Sequence, residues 1–203
     1  SHANLRTDRY GGSTENRCRF VLEVLEAIIS VWGARSVGIK ICPADDYNNS
    51  TVSYVELTGV YTHLIQELVK RDIGFINLSR RGCDVGRSTD DYFQTSPRPE
   101  GKELPLGYDP LHQFGNLVKY PGSRTMLMVN HEYTIEEANE LIGNGKIDLV
   151  AFARSFIYNP DFMSRARAGV PLATNNRGGA VNYGPYQHPD ENNNDWPLAA
   201  CCN

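Results

Sequence analysis

From Thr14 to Trp32 the apolar residues Phe20, Val21, Val24, Leu25, Ile28, Val31 and Trp32 recur at helical spacing, which predicts a helix with one buried face. Ser13 stands before it as an N-cap and Gly33 after it as a stop. Val37 to Cys42, bounded by Pro43, is a β-branched run of strand length. Alternation along it sets Val37, Ile39 and Ile41 on one face and Gly38, Lys40 and Cys42 on the other. A helix is predicted over Val52 to Lys70 and a strand over Phe75 to Ser79. Between Arg80 and Gly107 the pattern stops; Gly, Asp, Ser, Thr and Pro dominate, as in a long functional or disordered loop. Periodicity then returns as a short helix around Pro110 to Lys119 and a strand over Thr125 to Val129. Thr134 and Glu137 form a capping box that opens a helix running through Ile142. A strand follows over Asp148 to Ala153, and Asn159-Pro160-Asp161 begins another helix.

Short apolar strands separated by helical patterns predict a parallel α/β architecture. Two arrangements satisfy it, a doubly wound open sheet and a portion of an eight-stranded (β/α) barrel of the TIM type. No GxGxxG or Walker-type glycine loop follows any strand, which shifts the weight to the barrel. The predicted strands are half the number that closes such a barrel. Residues 1–173 are therefore expected to form half a barrel with a long loop at 80–107, and residues 174–203 a tail rich in Asn, Gly and Pro.

Composition narrows the function classes. The 203 residues carry 20 basic and 24 acidic side chains, a net charge of -4 that argues against nonspecific nucleic-acid binding. No window approaches the roughly 18 apolar residues of a membrane span, and Ser1 to Arg9 is polar, so a cytoplasmic chain without membrane contact is expected. Cys18, Cys42, Cys83, Cys201 and Cys202 are an odd set without paired ligand spacing, read as free thiols. His63, His112 and His188 also lack ligand spacing, and no metal is expected.

Among the charged residues, a lysine within a buried strand, Lys40, requires an anionic partner. Arg154 follows a strand directly, at the C-terminal face where barrel sites lie, and its guanidinium suits a phosphate. Arg80, Arg81 and Arg87 read first as a solvated basic loop and second as contacts for a nucleotide phosphate or a substrate acid.

The segment Asn4-Leu-Arg-Thr-Asp-Arg-Tyr-Gly-Gly-Ser-Thr-Glu-Asn-Arg17 with Arg19-Phe20 resembles the old yellow enzyme family of FMN-dependent oxidoreductases. The resemblance continues at Val37-Gly-Ile-Lys-Ile41, at Tyr133 to Ile142, at Asp148 to Asp161, and at Gly178-Gly-Ala-Val-Asn-Tyr-Gly-Pro-Tyr186. These motifs belong to the C-terminal half of the family's barrel. The other half, with the first flavin contacts and the His/Asn or His/His pair that holds the substrate, has no counterpart in this chain.

The resemblance implies FMN as cofactor, NAD(P)H as reductant and an activated alkene as substrate. It sets Lys40 where the family usually has an arginine beside the flavin N1 and O2 edge. It sets Ala153 and Arg154 at the family's Gly-Arg pair for the FMN phosphate, and His131 and Glu132 where small residues bring their backbone N–H groups to that phosphate. Tyr183 matches a tyrosine walling the substrate space. The expected function is an ene-reductase-type oxidoreductase; the alternative is a catalytically incomplete half-barrel that self-associates or needs another polypeptide to supply the remaining strands.

Overall fold

The computed structural model describes residues 3–44, 51–80, 98–174, 188–191 and 194–199. Helix α1 spans Thr14–Trp32, strand β1 Gly38–Ile41, α2 Tyr54–Lys70, β2 Phe75–Ser79, α3 Pro110–Val118, β3 Met126–Asn130, α4 Ile135–Gly143, β4 Leu149–Ala151, α5 Arg154–Tyr158 and α6 Phe162–Ala168. The caps follow the sequence chemistry. Ser13, Ser53, Asp109 and Thr134 each accept a hydrogen bond from a first-turn backbone N–H of α1 to α4. Gly33 ends α1 at φ 76°, a conformation open to glycine without strain.

All strand pairs are parallel and lie in the order β1-β2-β3-β4. That order has no reversal, whereas a doubly wound sheet needs one at its switch point. The helices agree. Val37, Ile41, Ile76, Leu78, Leu127 and Val129 share one core with Leu57, Leu64, Ile65 and Leu68 of α2 and with Phe114 and Val118 of α3. The opposite face carries Gly38 and Lys40, then Asn77 and Ser79, then Met128 and Asn130, in register across the strands. A sheet with sequential parallel strands and its helices on one side is half of a (β/α) barrel.

Several boundaries and one face differ from the sequence expectation. β4 is shorter than Asp148 to Ala153 because both ends have other work. The Asp148 carboxylate accepts from Leu127 N–H at 2.8 Å and pairs with Lys119, while Ala153 caps α5. The helix expected after Asn159-Pro160-Asp161 forms as α6 with Asp161 at its N-cap, and a further short helix, α5, precedes it. Phe152, just past β4, packs its ring 4.9 Å from that of Phe162 in α6.

The largest difference is in α1. Its buried residues are Cys18 and Leu25, backed by Leu22 and Ile29. Phe20, Val31 and Trp32, predicted to be buried, are 64%, 70% and 70% exposed, and Val21, Val24 and Ile28 are exposed with them. The apolar surface of α1 thus covers more than half of the helix circumference, and α2 takes only part of it. Periodicity reported the apolar arc correctly but could not say which part faced the sheet. Beyond α6, the segment 194–199 packs back on the helices: Trp196 is buried against Tyr158, and Ala199 N–H donates to the Asp161 carboxylate at 2.8 Å.

Candidate flavin site at the strand C-termini

The C-terminal ends of the four strands carry the residues singled out by their chemistry. Lys40 lies on the face opposite Ile39 and Ile41, in register with Asn77, and is exposed there. It faces away from the outer helices, as the alternation required. Asp45, its nearest acidic candidate in sequence, lies outside the described residues, as do Arg81, Arg87 and Tyr183.

At the end of β3 the chain turns through His131 at φ 79° and Glu132 at φ 58°. Consecutive non-glycine residues in the left-handed region are strained, on the order of 1 kcal/mol each. Turns of this kind can converge successive backbone N–H groups on an anion. The Glu132 side chain is half-exposed, with its carboxylate 4.0 Å from His131 Nε2. One strand over, Ala153 and Arg154 follow β4, with Arg154 exposed in the first turn of α5. β3 and β4 are neighbours, so the two segments lie beside each other on one edge of the sheet.

Arg80 corrects the expectation of a solvated basic loop. Its side chain is only 19% exposed and sits in a defined network at the end of β2. The guanidinium lies 3.5 Å from the centroid of the Tyr133 ring and pairs with the Glu137 carboxylate. Nη1 approaches the Glu132 carbonyl at 3.4 Å, Nε lies 4.0 Å from the Asp109 carboxylate, and the Arg80 backbone N–H donates to Asn130 O at 3.1 Å. The hydrogen bond from Arg80 holds the Glu137 carboxyl below the usual carboxylate range, and burial pushes the Tyr133 phenol up. Only half of the predicted capping box forms. Glu137 N–H donates to Thr134 Oγ1 at 3.1 Å, while the Glu137 carboxylate turns to Arg80.

Sequence reasoning did not single out Asn130. Its Oδ1 and that of Asn77 are buried without a hydrogen-bond partner among the described residues. Both amides stand on the inner face, on adjacent strands. An unpaired buried acceptor costs on the order of 1–3 kcal/mol, which a polar ligand or a further chain over this face would offset. The signal was present in the alternation Asn77-x-Ser79 and Met128-x-Asn130, a polar inner face on otherwise apolar strands.

The sequence model of the NADH:flavin oxidoreductase / NADH oxidase family matches residues 1–173, and the chain belongs to that family. It is 34% identical over 175 residues to 12-oxophytodienoate reductase 1 of Oryza sativa subsp. japonica, covering 84% of this chain and 39% of the relative. Over 170 residues it is 32% identical to a Leishmania infantum protein described as "Probable flavin mononucleotide-dependent alkene reductase", covering 84% and 39% of the two chains. The structure of morphinone reductase in complex with tetrahydroNAD superposes with a TM-score of 0.67 at 28% identity, covering 97% of this chain and 45% of that one. The old yellow enzyme homologue from Zymomonas mobilis gives 0.72 at 25% identity, covering 97% and 48%. The family of old yellow enzymes and its (β/α) barrel are therefore established for this chain, which spans less than half the length of these relatives.

The residues present fit FMN. The left-handed turn at His131 and Glu132 can present backbone N–H groups to an anion, a guanidinium stands at the next strand end, and the inner face holds a cation and two amide oxygens without a partner among the described residues.

Proposed function

We propose that this chain is the flavin-phosphate half of an FMN-dependent oxidoreductase of ene-reductase type, using NAD(P)H as reductant and an activated alkene as acceptor. The observation that carries the reading is the left-handed pair His131 and Glu132 at the end of β3, beside Arg154 at the end of β4. Strain of that kind persists where the turn is needed in one conformation. When bound, FMN supplies the hydride chemistry, accepting from a nicotinamide and donating to the β-carbon of the alkene.

The protein's own contribution is binding and charge. Arg154 and the backbone of residues 131 and 132 hold the phosphate dianion, and the carboxylate of Glu132 stays on the solvent side. Lys40 keeps a positive charge at the ring edge, where its ammonium favours the anionic form of the reduced cofactor. The amide oxygens of Asn77 and Asn130, buried and without a partner among the described residues, are left as acceptors for donors on the ligand. Tyr183 walls the substrate space in this reading.

Titration of the purified chain with FMN, followed by quenching of flavin fluorescence, tests the proposal. Saturable binding that weakens in Arg154→Ala supports it, and absence of binding by the wild type overturns it.

The second reading is a half-barrel without catalysis of its own, favoured by the exposed apolar arc of α1 and by the edges of β1 and β4, each with one strand partner among the described residues. In that case the purified chain is colourless and acquires flavin absorbance only when another polypeptide supplies the remaining strands.

A further inference from the structure

We propose that Arg80 is a positioning residue for the phosphate turn: it fixes the left-handed conformation of His131 and Glu132 from the neighbouring strand. The proposal rests on the flavin reading for its purpose and on the geometry around Arg80 for its substance.

The turn has no glycine to relax its strain, so something else must select its conformation. Helix α4 begins at Ile135, and its cap at Thr134 fixes the chain only after Tyr133. On the other side, β3 ends its pairing at Asn130. Residues 131 to 133 therefore lie between two regular elements that do not determine their dihedral angles. Arg80 spans this gap. Its backbone N–H holds Asn130 O at 3.1 Å, its Nη1 lies 3.4 Å from the Glu132 carbonyl, and its guanidinium covers the Tyr133 ring at 3.5 Å. Its pairing with Glu137 anchors the same plane to the first turn of α4. The planar fork matters, since stacking on a ring while donating in plane on two sides is open to a guanidinium and closed to an ammonium. Asp109, the N-cap of α3, stands near Nε and ties the network to a third element.

Three variants separate positioning from general support. Arg80→Met keeps the length and removes the fork, Arg80→Lys keeps the charge, and Glu137→Gln breaks the anchor while leaving the contacts to Glu132 and Tyr133. Hydrogen–deuterium exchange of residues 130–134 is the first readout. It is expected to rise about tenfold in Arg80→Met, the effect of losing one charge-assisted contact. Arg80→Lys is expected to behave like Arg80→Met at the turn, and Glu137→Gln like the wild type, with the centres of β2 and β3 protected in all three. FMN affinity by fluorescence quenching is the second readout, expected to fall in the same order and by a similar factor.

Unchanged exchange at 130–134 in Arg80→Met overturns the proposal. So does equal loosening in Glu137→Gln, which would make Arg80 a tether for α4 alone, or full rescue by Arg80→Lys. If Arg80→Met does not fold, the comparison of Arg80→Lys with Glu137→Gln decides. A wild-type chain that binds no FMN sinks the flavin reading and leaves the exchange result to judge Arg80; a wild type that binds FMN no more tightly than Arg80→Met sinks the positioning role.

Discussion

Glu132 carries two costs at one position, a left-handed backbone at φ 58° and a carboxylate beside the proposed phosphate turn. Glycine removes both. Glu132→Gly is expected to be neutral to stabilising by up to about 1 kcal/mol in thermal unfolding, since relief of strain is partly offset by added freedom in the unfolded chain. It is also expected to tighten FMN binding, and more so at low salt, because a like charge near the anion is removed. Binding that weakens in Glu132→Gly would show that the side chain helps the site. Arg154→Ala changes the same site in the opposite sense: loss of one charge-assisted contact predicts weakening by about 1.5–3 kcal/mol in a flavin titration. Asp148 belongs to the fold rather than the site. It serves Leu127 N–H and Lys119 together, so Asp148→Ala is expected to destabilise by about 1–3 kcal/mol in urea unfolding without altering the order of flavin affinities.

At the scale of the elements, pH acts on the junction of β2 and α4 through Glu137. Its folded carboxyl is held below the ordinary range by Arg80, so the stability it contributes is present above about pH 4.3 and is lost as pH falls through the lower folded value. The difference in melting temperature between wild type and Glu137→Gln is therefore expected to be constant near neutrality and to shrink on acidification. A difference that grows on acidification contradicts the sign. What the sequence made legible here was local. Ser13 and Thr134 announced their helices, and the alternation of Lys40 with Ile39 and Ile41 set its face of β1. Arg80 was not legible, because its partners Tyr133 and Glu137 lie more than fifty positions away and meet it only through β2–β3 pairing. The left-handed angles of His131 and Glu132 were hidden for a related reason: glutamate does not signal positive φ, histidine does so only weakly, and only the family resemblance marked the place as one for small residues. Helix α1 failed differently, since an apolar arc wider than one contact face has no unique inward side.

For the whole molecule that ambiguity has a consequence. Four parallel strands leave two edges, β1 and β4, and each has only one strand partner among the described residues. Phe20, Val24, Ile28 and Val31 continue the apolar surface of α1 past the part that meets the core, and the inner face holds two amide oxygens without partners among the described residues. Open edges and uncovered apolar surface both favour association. The chain is therefore expected to be larger than a monomer in light scattering, or to aggregate, and to reduce activated alkenes poorly by itself. Val24→Glu and Val31→Glu provide the control. Both positions lie outside the core, so the far-ultraviolet dichroism of the double variant should match the wild type while its association weakens. A wild-type chain that runs as a stable monomer and turns over an alkene with NAD(P)H at the rate of a full-length relative would contradict this expectation.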